Sequence, residues 1–175
     1  MRTRALIPLA MVTAIFALTG CDGAQESRPS VEPTAAEQSD ADMVVYKSPA
    51  CGCCDLWIDH VEENGFSVAT VDIVEYDAIV AQKREHGVAL DLGSCHTTVV
   101  GGYVVEGHVP AHVIQRLLEE QPDIHGIAVP GMPIGSPGMA GPNPMPYQVI
   151  AIGRDGSRSI FETVDPRLGD GGSGQ

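Results

Sequence analysis

The apolar residues between positions 43 and 120 switch several times between a period of two and a helical period. Alternation of apolar and polar side chains predicts β-strands, and apolar residues spaced three and four apart predict amphipathic helices. Cys54, Ile58 and Val61 form such a helical stripe, and Gly65 is placed to end the helix behind them. The predicted elements are, in order, a strand at 43–47, a helix at 55–64, a strand at 66–72, a weaker helix at 75–86, strands at 97–100 and 103–106, and a helix at 110–120.

This order of elements is that of a thioredoxin-like domain, an α/β fold with a central mixed sheet and flanking helices. Two further strands, at 147–152 and 158–164, turn at Asp155-Gly156 and predict a C-terminal β-hairpin that extends the sheet or lies beside it. A long loop precedes them, because residues 130–146 contain six prolines, four glycines and three methionines. Such a loop is uncommon in a compact domain unless it covers or lines a site.

The first twenty-one residues have the pattern of a bacterial lipoprotein signal. A basic start precedes an apolar core at residues 5–18, which is too short to span a bilayer. The tetrapeptide Leu18-Thr19-Gly20-Cys21 resembles the lipobox, whose cysteine is acylated. We therefore predict a signal peptide at residues 1–20 and a lipid anchor on Cys21, on the periplasmic side of a bacterial membrane. Asp22 favours the inner membrane. The alternative is an ordinary signal peptide with a chance cysteine.

The chain is acidic, with 10 basic and 23 acidic residues and a net charge of −13. Two of the bases and none of the acids lie in residues 1–20, so the remainder is more acidic still. This charge, without any basic patch carrying interleaved aromatic residues, excludes nucleic acid as a partner.

Residues 21–42 have six acids, one base and no apolar period, and predict a disordered linker. The Gly-rich tail at 169–175 is also predicted to be disordered, which leaves one folded domain at 43–168.

Three cysteines, Cys51, Cys53 and Cys54, occupy four consecutive positions between the first predicted strand and helix. The N–H groups and dipole of a helix N-terminus stabilise thiolate, which is both the metal-binding and the nucleophilic form. Cys51 and Cys54 have the C-x-x-C spacing of a redox pair, but a third thiol beside a disulfide invites exchange. Three thiolates with diverging directions suit the bridging of more than one metal ion, and the two separated pairs typical of zinc sites are missing.

A fourth thiol, Cys95, lies just before the strand at 97–100. In thioredoxin-like folds this loop faces the N-terminus of the first helix and normally carries a proline, but the chain has none between Pro49 and Pro110. The predicted fold would therefore bring Cys95 to the other three cysteines. Four thiolates favour a soft ion, and Cu(I) above all.

Four ordered motifs, spread over residues 43–164, resemble a single bacterial family. They are Val45-Tyr46-Lys47-Ser48-Pro49 leading into Cys51-Gly52-Cys53-Cys54, then Ser94-Cys95-His96-Thr97, then Tyr103-Val104-Val105-Glu106-Gly107-His108-Val109-Pro110, and finally Ala128-Val129-Pro130-Gly131-Met132-Pro133 with Gly135-Ser136-Pro137-Gly138-Met139. The family is DUF411, bacterial metal-binding proteins that include the CopG-like proteins found with copper-resistance systems. The resemblance implies a thioredoxin-like fold in which Cys51, Cys53, Cys54 and Cys95 bind copper as a cluster, in periplasmic copper handling.

Three further residues are candidates for an auxiliary role. His96 adjoins Cys95 and either ligates or tunes the metal from beside it, or makes a structural hydrogen bond. Met132 and Met139 carry thioethers that suit Cu(I) and would pass copper to or from the site. The alternative for both methionines is that they fix the loop to the edge of the core.

Three classes of function remain open from the sequence. The first is a membrane-anchored protein that holds Cu(I) for resistance or delivery, with other copper-handling proteins as partners. The second is a thiol-disulfide oxidoreductase that uses Cys51 and Cys54. The third is a binding module in which the four cysteines form two structural disulfides, although a bridge within residues 51–54 closes almost no loop and adds little stability. The sequence does not separate copper storage from electron transfer on the copper.

Overall fold

The structure, a computed structural model, describes residues 41–169. The predicted signal segment at 1–20, the lipidation site Cys21, the linker up to residue 40 and the tail from residue 170 lie outside the described residues. No helix in the described part of the chain is long and apolar enough to cross a membrane.

Strands and helices alternate in the first part of this segment, and strands dominate the second. The elements are β1 (Met43–Lys47), α1 (Gly52–Glu63), β2 (Val68–Asp72), α2 (Tyr76–Glu85), a short 3₁₀ helix (Leu90–Leu92), β3 (Thr97–Val100), β4 (Tyr103–Glu106), α3 (Ala111–Glu120), β5 (Gly126–Ala128), β6 (Tyr147–Ile152) and β7 (Arg158–Val164).

All of these strands join one mixed sheet in the order β2-β1-β3-β4-β5-β6-β7. β1 is parallel to β2, and β4 is parallel to β5, whereas the other neighbours are antiparallel. The C-terminal hairpin of β6 and β7 therefore extends the sheet, as one of the two predicted arrangements has it. The α/β class, the mixed sheet and the hairpin are confirmed.

Two boundaries differ from the prediction by more than one residue, and one strand was not predicted. α1 begins at Gly52 rather than at residue 55, because the amide of Cys54 already donates to the carbonyl of Cys51 at 3.0 Å. β2 begins at Val68, since the amide of Ser67 donates to the carboxylate of Asp42 at 2.8 Å. β5 was not predicted: it has only three residues.

The sheet has a core on each face. Val104 and Val105 are neighbours on β4 and belong to different buried clusters, as the alternation of side chains along a strand requires. The larger cluster lies between the sheet and the helices α1 and α3, and it contains, among others, Met43, Val45, Trp57, Val61, Val105, Val113, Ile114, Leu117, Ile127 and Val149. The smaller one is formed by Val88, Leu92, Val104, Ala128 and Ile152. Trp57, fully buried on α1, anchors the helix that carries the cysteines.

Candidate metal centre

The first three cysteines lie on the turn between β1 and α1. Cys51 is the residue that precedes the helix, and its own side chain makes no capping hydrogen bond. Its amide donates to the carbonyl of Ser48 at 3.1 Å, and its carbonyl accepts from the amides of Cys54 and Asp55. The turn therefore presents the three sulfur atoms at the positive end of α1, where thiolates are stabilised.

Cys95 lies between the 3₁₀ helix and β3, and its sulfur meets the other three. The four Sγ atoms, of Cys51, Cys53, Cys54 and Cys95, all lie within 4.8 Å of one another. The Sγ of Cys53 is central to the group, at 3.4 Å from the Sγ of Cys51 and 3.6 Å from that of Cys95. The expected convergence of four sulfur atoms is present.

Two of these sulfurs are bonded to each other. Cys51 and Cys54 form a disulfide, whereas Cys53 and Cys95 are free thiols. The pair is the one with the C-x-x-C spacing. A disulfide sulfur is no longer a thiolate, so the site in this structure has two thiols, and reduction of the disulfide would give four.

Two buried histidines pack against each other, and one of them, His96, follows Cys95 in the chain. His96 and His108 are both fully buried, and their ring centroids lie 5.1 Å apart. The ring of His96 also packs on the indole of Trp57, with centroids 4.3 Å apart. Within the described residues, three ring nitrogens lack a hydrogen-bond partner of ordinary geometry: Nδ1 and Nε2 of His96, and Nε2 of His108. His96, the neighbour of Cys95 in the chain, thus packs against both the indole of Trp57 and the ring of His108.

Burial keeps both imidazoles neutral. It lowers the pKa of His96 well below 6.5, and the neighbouring His108 and Lys83 lower it further. Burial also lowers the pKa of His108, against the hydrogen bond from its ring to the carbonyl of Pro137. A neutral imidazole is the form that binds a metal or accepts a hydrogen bond. His96 was a sequence candidate, whereas His108 was not.

The long loop between β5 and β6 closes over the site from the solvent side. The Sδ of Met132 lies 2.8 Å from the Sγ of Cys95. The hydroxyl of Ser94 donates to the carbonyl of Gly131, and the amide of Gly131 donates to the carbonyl of Gly93 at 3.2 Å. Met132 is therefore held against Cys95 while half of its surface remains exposed.

The same loop meets α1 at Gly138. A Cβ at this position would lie 2.5 Å from the carbonyl oxygen of Cys53 and 3.0 Å from the amide of Trp57, and the φ angle is +78°. Only glycine meets both conditions. Met139 follows at once and is half-buried, with backbone hydrogen bonds to Ser136 and Gly135. The structure places Met132, but not the thioether of Met139, in a described contact with a cysteine.

The charges near the site are compensated within it. Lys47 is buried at the end of β1 and forms ion pairs with Asp55 at 2.9 Å and Asp72 at 3.4 Å. Lys83 and Glu106 form a second buried pair at 2.6 Å. These carboxylates are engaged by lysines, which leaves sulfur as the donor type at the centre.

The proton on Cys95 is held tightly. Burial, the hydrogen bond with Cys53 and the charge of Cys53 raise the pKa of the Cys95 thiol to about 12. A metal ion that binds Cys95 at neutral pH must therefore displace a proton. A soft, thiophilic ion fits this set of four sulfurs and a thioether, whereas a hard cation such as Mg²⁺ does not.

Comparison with known proteins places the chain in a family. The model for a protein family of unknown function, DUF411, matches residues 92–139. A solved structure described as copper resistance protein CopG, form 2, is 47% identical, with a TM-score of 0.63; the match covers 70% of this chain and 97% of that one. The chain belongs to the CopG-like DUF411 family of copper-resistance proteins. Form 1 of the same relative is 46% identical at a TM-score of 0.63, with 70% and 95% of the two chains covered. Among curated proteins, none matches the chain.

The DUF411 match covers the later half of the site. Residues 92–139 include Cys95 and His96 just before β3, His108 just after β4, and Met132 and Gly138 of the long loop. The copper-resistance relatives and the cysteine cluster together indicate that this DUF411 protein binds a metal, with copper favoured.

Proposed function

We propose that this protein holds Cu(I) on the thiolates of Cys51, Cys53, Cys54 and Cys95, as a cluster of more than one ion, in copper resistance. The observation that carries the proposal is the placement of four Sγ atoms within 4.8 Å of one another. Cys53 contacts sulfur on both sides, so its thiolate is well placed to bridge two ions. Four sulfurs are too few to surround several ions separately, which favours shared ligands.

The copper would be held from two sides. Four thiolates select a soft monovalent ion over the oxygen-seeking cations. Met132 supplies a neutral soft donor on the solvent side, and we propose it as the auxiliary ligand; Met139 is the weaker candidate because no described contact links its sulfur to the cluster. His96 and His108 are fully buried, and ring nitrogens without a hydrogen bond of ordinary geometry support a role for them in tuning the site.

The proposed location is the periplasmic side of a bacterial membrane. The lipobox-like Leu18-Thr19-Gly20-Cys21 supports a lipid anchor on Cys21, and Asp22 supports the inner membrane. Copper-handling proteins in that compartment would be the partners. We also propose that the portion from β1 to α3 is thioredoxin-like, which the strand order β2-β1-β3-β4 supports, with β3 antiparallel to β1 and to β4.

Metal stoichiometry tests this function directly. The protein carrying Cys21→Ser, which leaves the four cysteines of the site, is reduced, loaded with Cu(I) and freed of excess metal. We expect more than one copper per chain, protection of four thiols from alkylation, and loss of at least one copper on Cys95→Ser. Ser159→Ala, on the exposed side of β7, is the control and should bind as the parent does. A single copper per chain that survives Cys95→Ser would contradict the proposal.

A second function is favoured by one specific observation, the disulfide between Cys51 and Cys54. A thiol-disulfide oxidoreductase would use this pair to exchange electrons with a partner thiol. It predicts that the metal-free protein reduces insulin disulfides, that activity is lost on Cys51→Ser or Cys54→Ser, and that Cys95→Ser has no effect. The copper function predicts no such activity and a strong effect of Cys95.

A further inference from the structure

Glu106 is fully buried on β4 and uses both carboxylate oxygens. Its Oε1 accepts hydrogen bonds from Nζ of Lys83 and from the backbone amide of Ser94, each at 2.6 Å. Its Oε2 accepts from the hydroxyl of Thr97 at 2.7 Å, and Lys83 also donates to that hydroxyl oxygen at 3.2 Å. Every polar contact of this carboxylate therefore lies within a network of four residues.

The two partners other than Lys83 enclose the fourth cysteine. Ser94 precedes Cys95, and Thr97 follows the dipeptide Cys95-His96. The segment between the 3₁₀ helix and β3 has no regular structure of its own, so its shape depends on such tethers. Glu106 fixes it at both ends from the interior, while the Ser94 hydroxyl ties its outer side to Gly131 of the long loop.

A buried ion pair is an unusual way to obtain stability alone. Desolvation of Lys83 and Glu106 offsets most of their attraction, and apolar residues of the same size often stabilise a protein as well or better. The directional hydrogen bonds of a carboxylate, in contrast, hold a backbone segment in a single position. The network is thus better suited to fixing geometry than to raising stability.

We propose that Glu106, kept in place by Lys83, is the positioning residue for Cys95. It holds the Cys95 thiol 3.6 Å from Cys53 before any metal arrives, so that the fourth ligand is preorganised. This inference rests on the proposed copper function, because it assigns how one of the four ligands is presented. Loss of the tether would let the segment sample other conformations, and the metal would have to order it on binding.

The experiment is a double-mutant cycle between the tether and Cys95, in protein carrying Cys21→Ser. Glu106→Leu with Lys83→Met removes both charges together, so that no unpaired charge stays buried. Competition with a chromogenic Cu(I) chelator gives the affinity. We expect an affinity lower by on the order of tenfold when Cys95 is present, and less than about twofold lower in the Cys95→Ser background, because the tether acts only through Cys95.

Two matched variants separate positioning from stability. Glu106→Gln with Lys83→Met keeps a carbonyl acceptor for the Ser94 amide and should retain an affinity within about threefold of the parent. Glu162→Leu with Arg116→Met removes an ion pair away from the site, in which Nη1 of Arg116 lies 2.9 Å from Oε2 of the buried Glu162. This double variant should lower the Tm but not the copper affinity. In the metal-free, reduced protein, the alkylation rate of Cys95 should rise several-fold only in the variant that combines Glu106→Leu with Lys83→Met.

The outcomes separate the positioning role of Glu106 from the proposed copper binding by four thiolates. Equal losses of affinity with and without Cys95, or no loss at all, would overturn the role of Glu106 while leaving the copper site intact. If Cys95→Ser itself leaves copper binding unchanged, the four-thiolate site is wrong and the inference falls with it. Should Glu106→Leu with Lys83→Met fail to fold, Thr97→Val, which removes only the hydroxyl that donates to Glu106, enters the same cycle. We expect an affinity loss of about threefold that vanishes in the Cys95→Ser background.

Discussion

The sulfur atoms of Cys53 and Cys95 lie 3.6 Å apart, although the residues are 42 positions apart in the chain. The register of the sheet brings them together. β1 and β3 are antiparallel neighbours that pair Tyr46 with Thr97, so the residues that leave β1 and those that enter β3 meet at the same edge of the sheet. The sheet therefore brings together the two segments that carry these sulfurs.

The disulfide between Cys51 and Cys54 should control copper loading. Oxidised protein offers only Cys53 and Cys95 as thiols, so we expect it to bind fewer Cu(I) ions than protein treated with a phosphine reductant. Metal per chain under anaerobic conditions is the measurement. The double variant Cys51→Ser with Cys54→Ser cannot form the bridge. It should bind fewer Cu(I) ions than the reduced parent, and the same number with and without the reductant. Equal loading of oxidised and reduced parent protein would argue against this coupling.

Replacing Met132 by leucine should weaken copper binding without disturbing the fold. The thioether lies 2.8 Å from the sulfur of Cys95, and leucine keeps the volume while removing that donor. We expect Cu(I) affinity to fall by roughly three- to tenfold and transfer to a chelator to accelerate. Met145→Leu, an exposed methionine of the same loop, is the control. Identical behaviour of the two variants would remove Met132 from the site.

Alanine at Gly138 should destabilise the protein far more than alanine at Gly156. Both glycines have positive φ angles, of +78° and +81°, so both substitutions cost about 1–2 kcal/mol of backbone strain. At Gly138 the new Cβ also meets the Cys53 carbonyl and the Trp57 amide, whereas at Gly156 no atom lies within 4 Å. Overpacking of this kind adds about 1–3 kcal/mol. Denaturant unfolding of the two variants measures the difference, and equal losses would mean that the loop does not press on α1.

The metal-free protein should lose stability in acid through its buried imidazoles. The pKa of His96 is lowered by burial, so its contribution is complete above pH 6.5 and is lost as the pH falls through the lower folded value. We expect the Tm to fall with acidification below pH 6.5, and less steeply in His96→Phe. Val105→Ala, a core variant, should lower the Tm without changing its slope against pH. Parallel profiles for parent and His96→Phe would contradict the assignment.

The thiol of Cys95 should make the protein lose stability at high pH, whereas His96 makes it lose stability in acid. Its pKa is raised from 9.0 to about 12, chiefly by burial, so its stabilising contribution is complete below pH 9 and lost as the pH rises toward 12. Between pH 6 and 9 the thiol stays protonated, and each proton displaced by copper should raise the apparent Cu(I) affinity about tenfold per pH unit. Cys95→Ser should show a shallower pH dependence. An unchanged slope in Cys95→Ser would show that this proton is not displaced.

Local patterns determined much of this protein. The strands at Met43–Lys47, Thr97–Val100, Tyr103–Glu106, Tyr147–Ile152 and Arg158–Val164 have the predicted limits, because their apolar alternation and turn residues are properties of neighbours in the chain. β5 was not predicted, because a strand of three residues is too short to show an alternation of apolar and polar side chains. Its Gly126 lies against the Val104 carbonyl, where a Cβ would clash, but that contact is visible only in three dimensions.

The chemistry divides in the same way. The amino-acid sequence alone determined that four thiols and nearby thioethers would offer soft donors, since donor type is a property of each residue. Only the tertiary structure decided that Met132 contacts Cys95, that the rings of His96 and His108 meet edge to face, and that Glu106 accepts hydrogen bonds from Ser94 and Thr97 on either side of Cys95. Those relationships join distant segments through sheet register and loop closure, and a one-residue shift in pairing would turn every side chain to the opposite face.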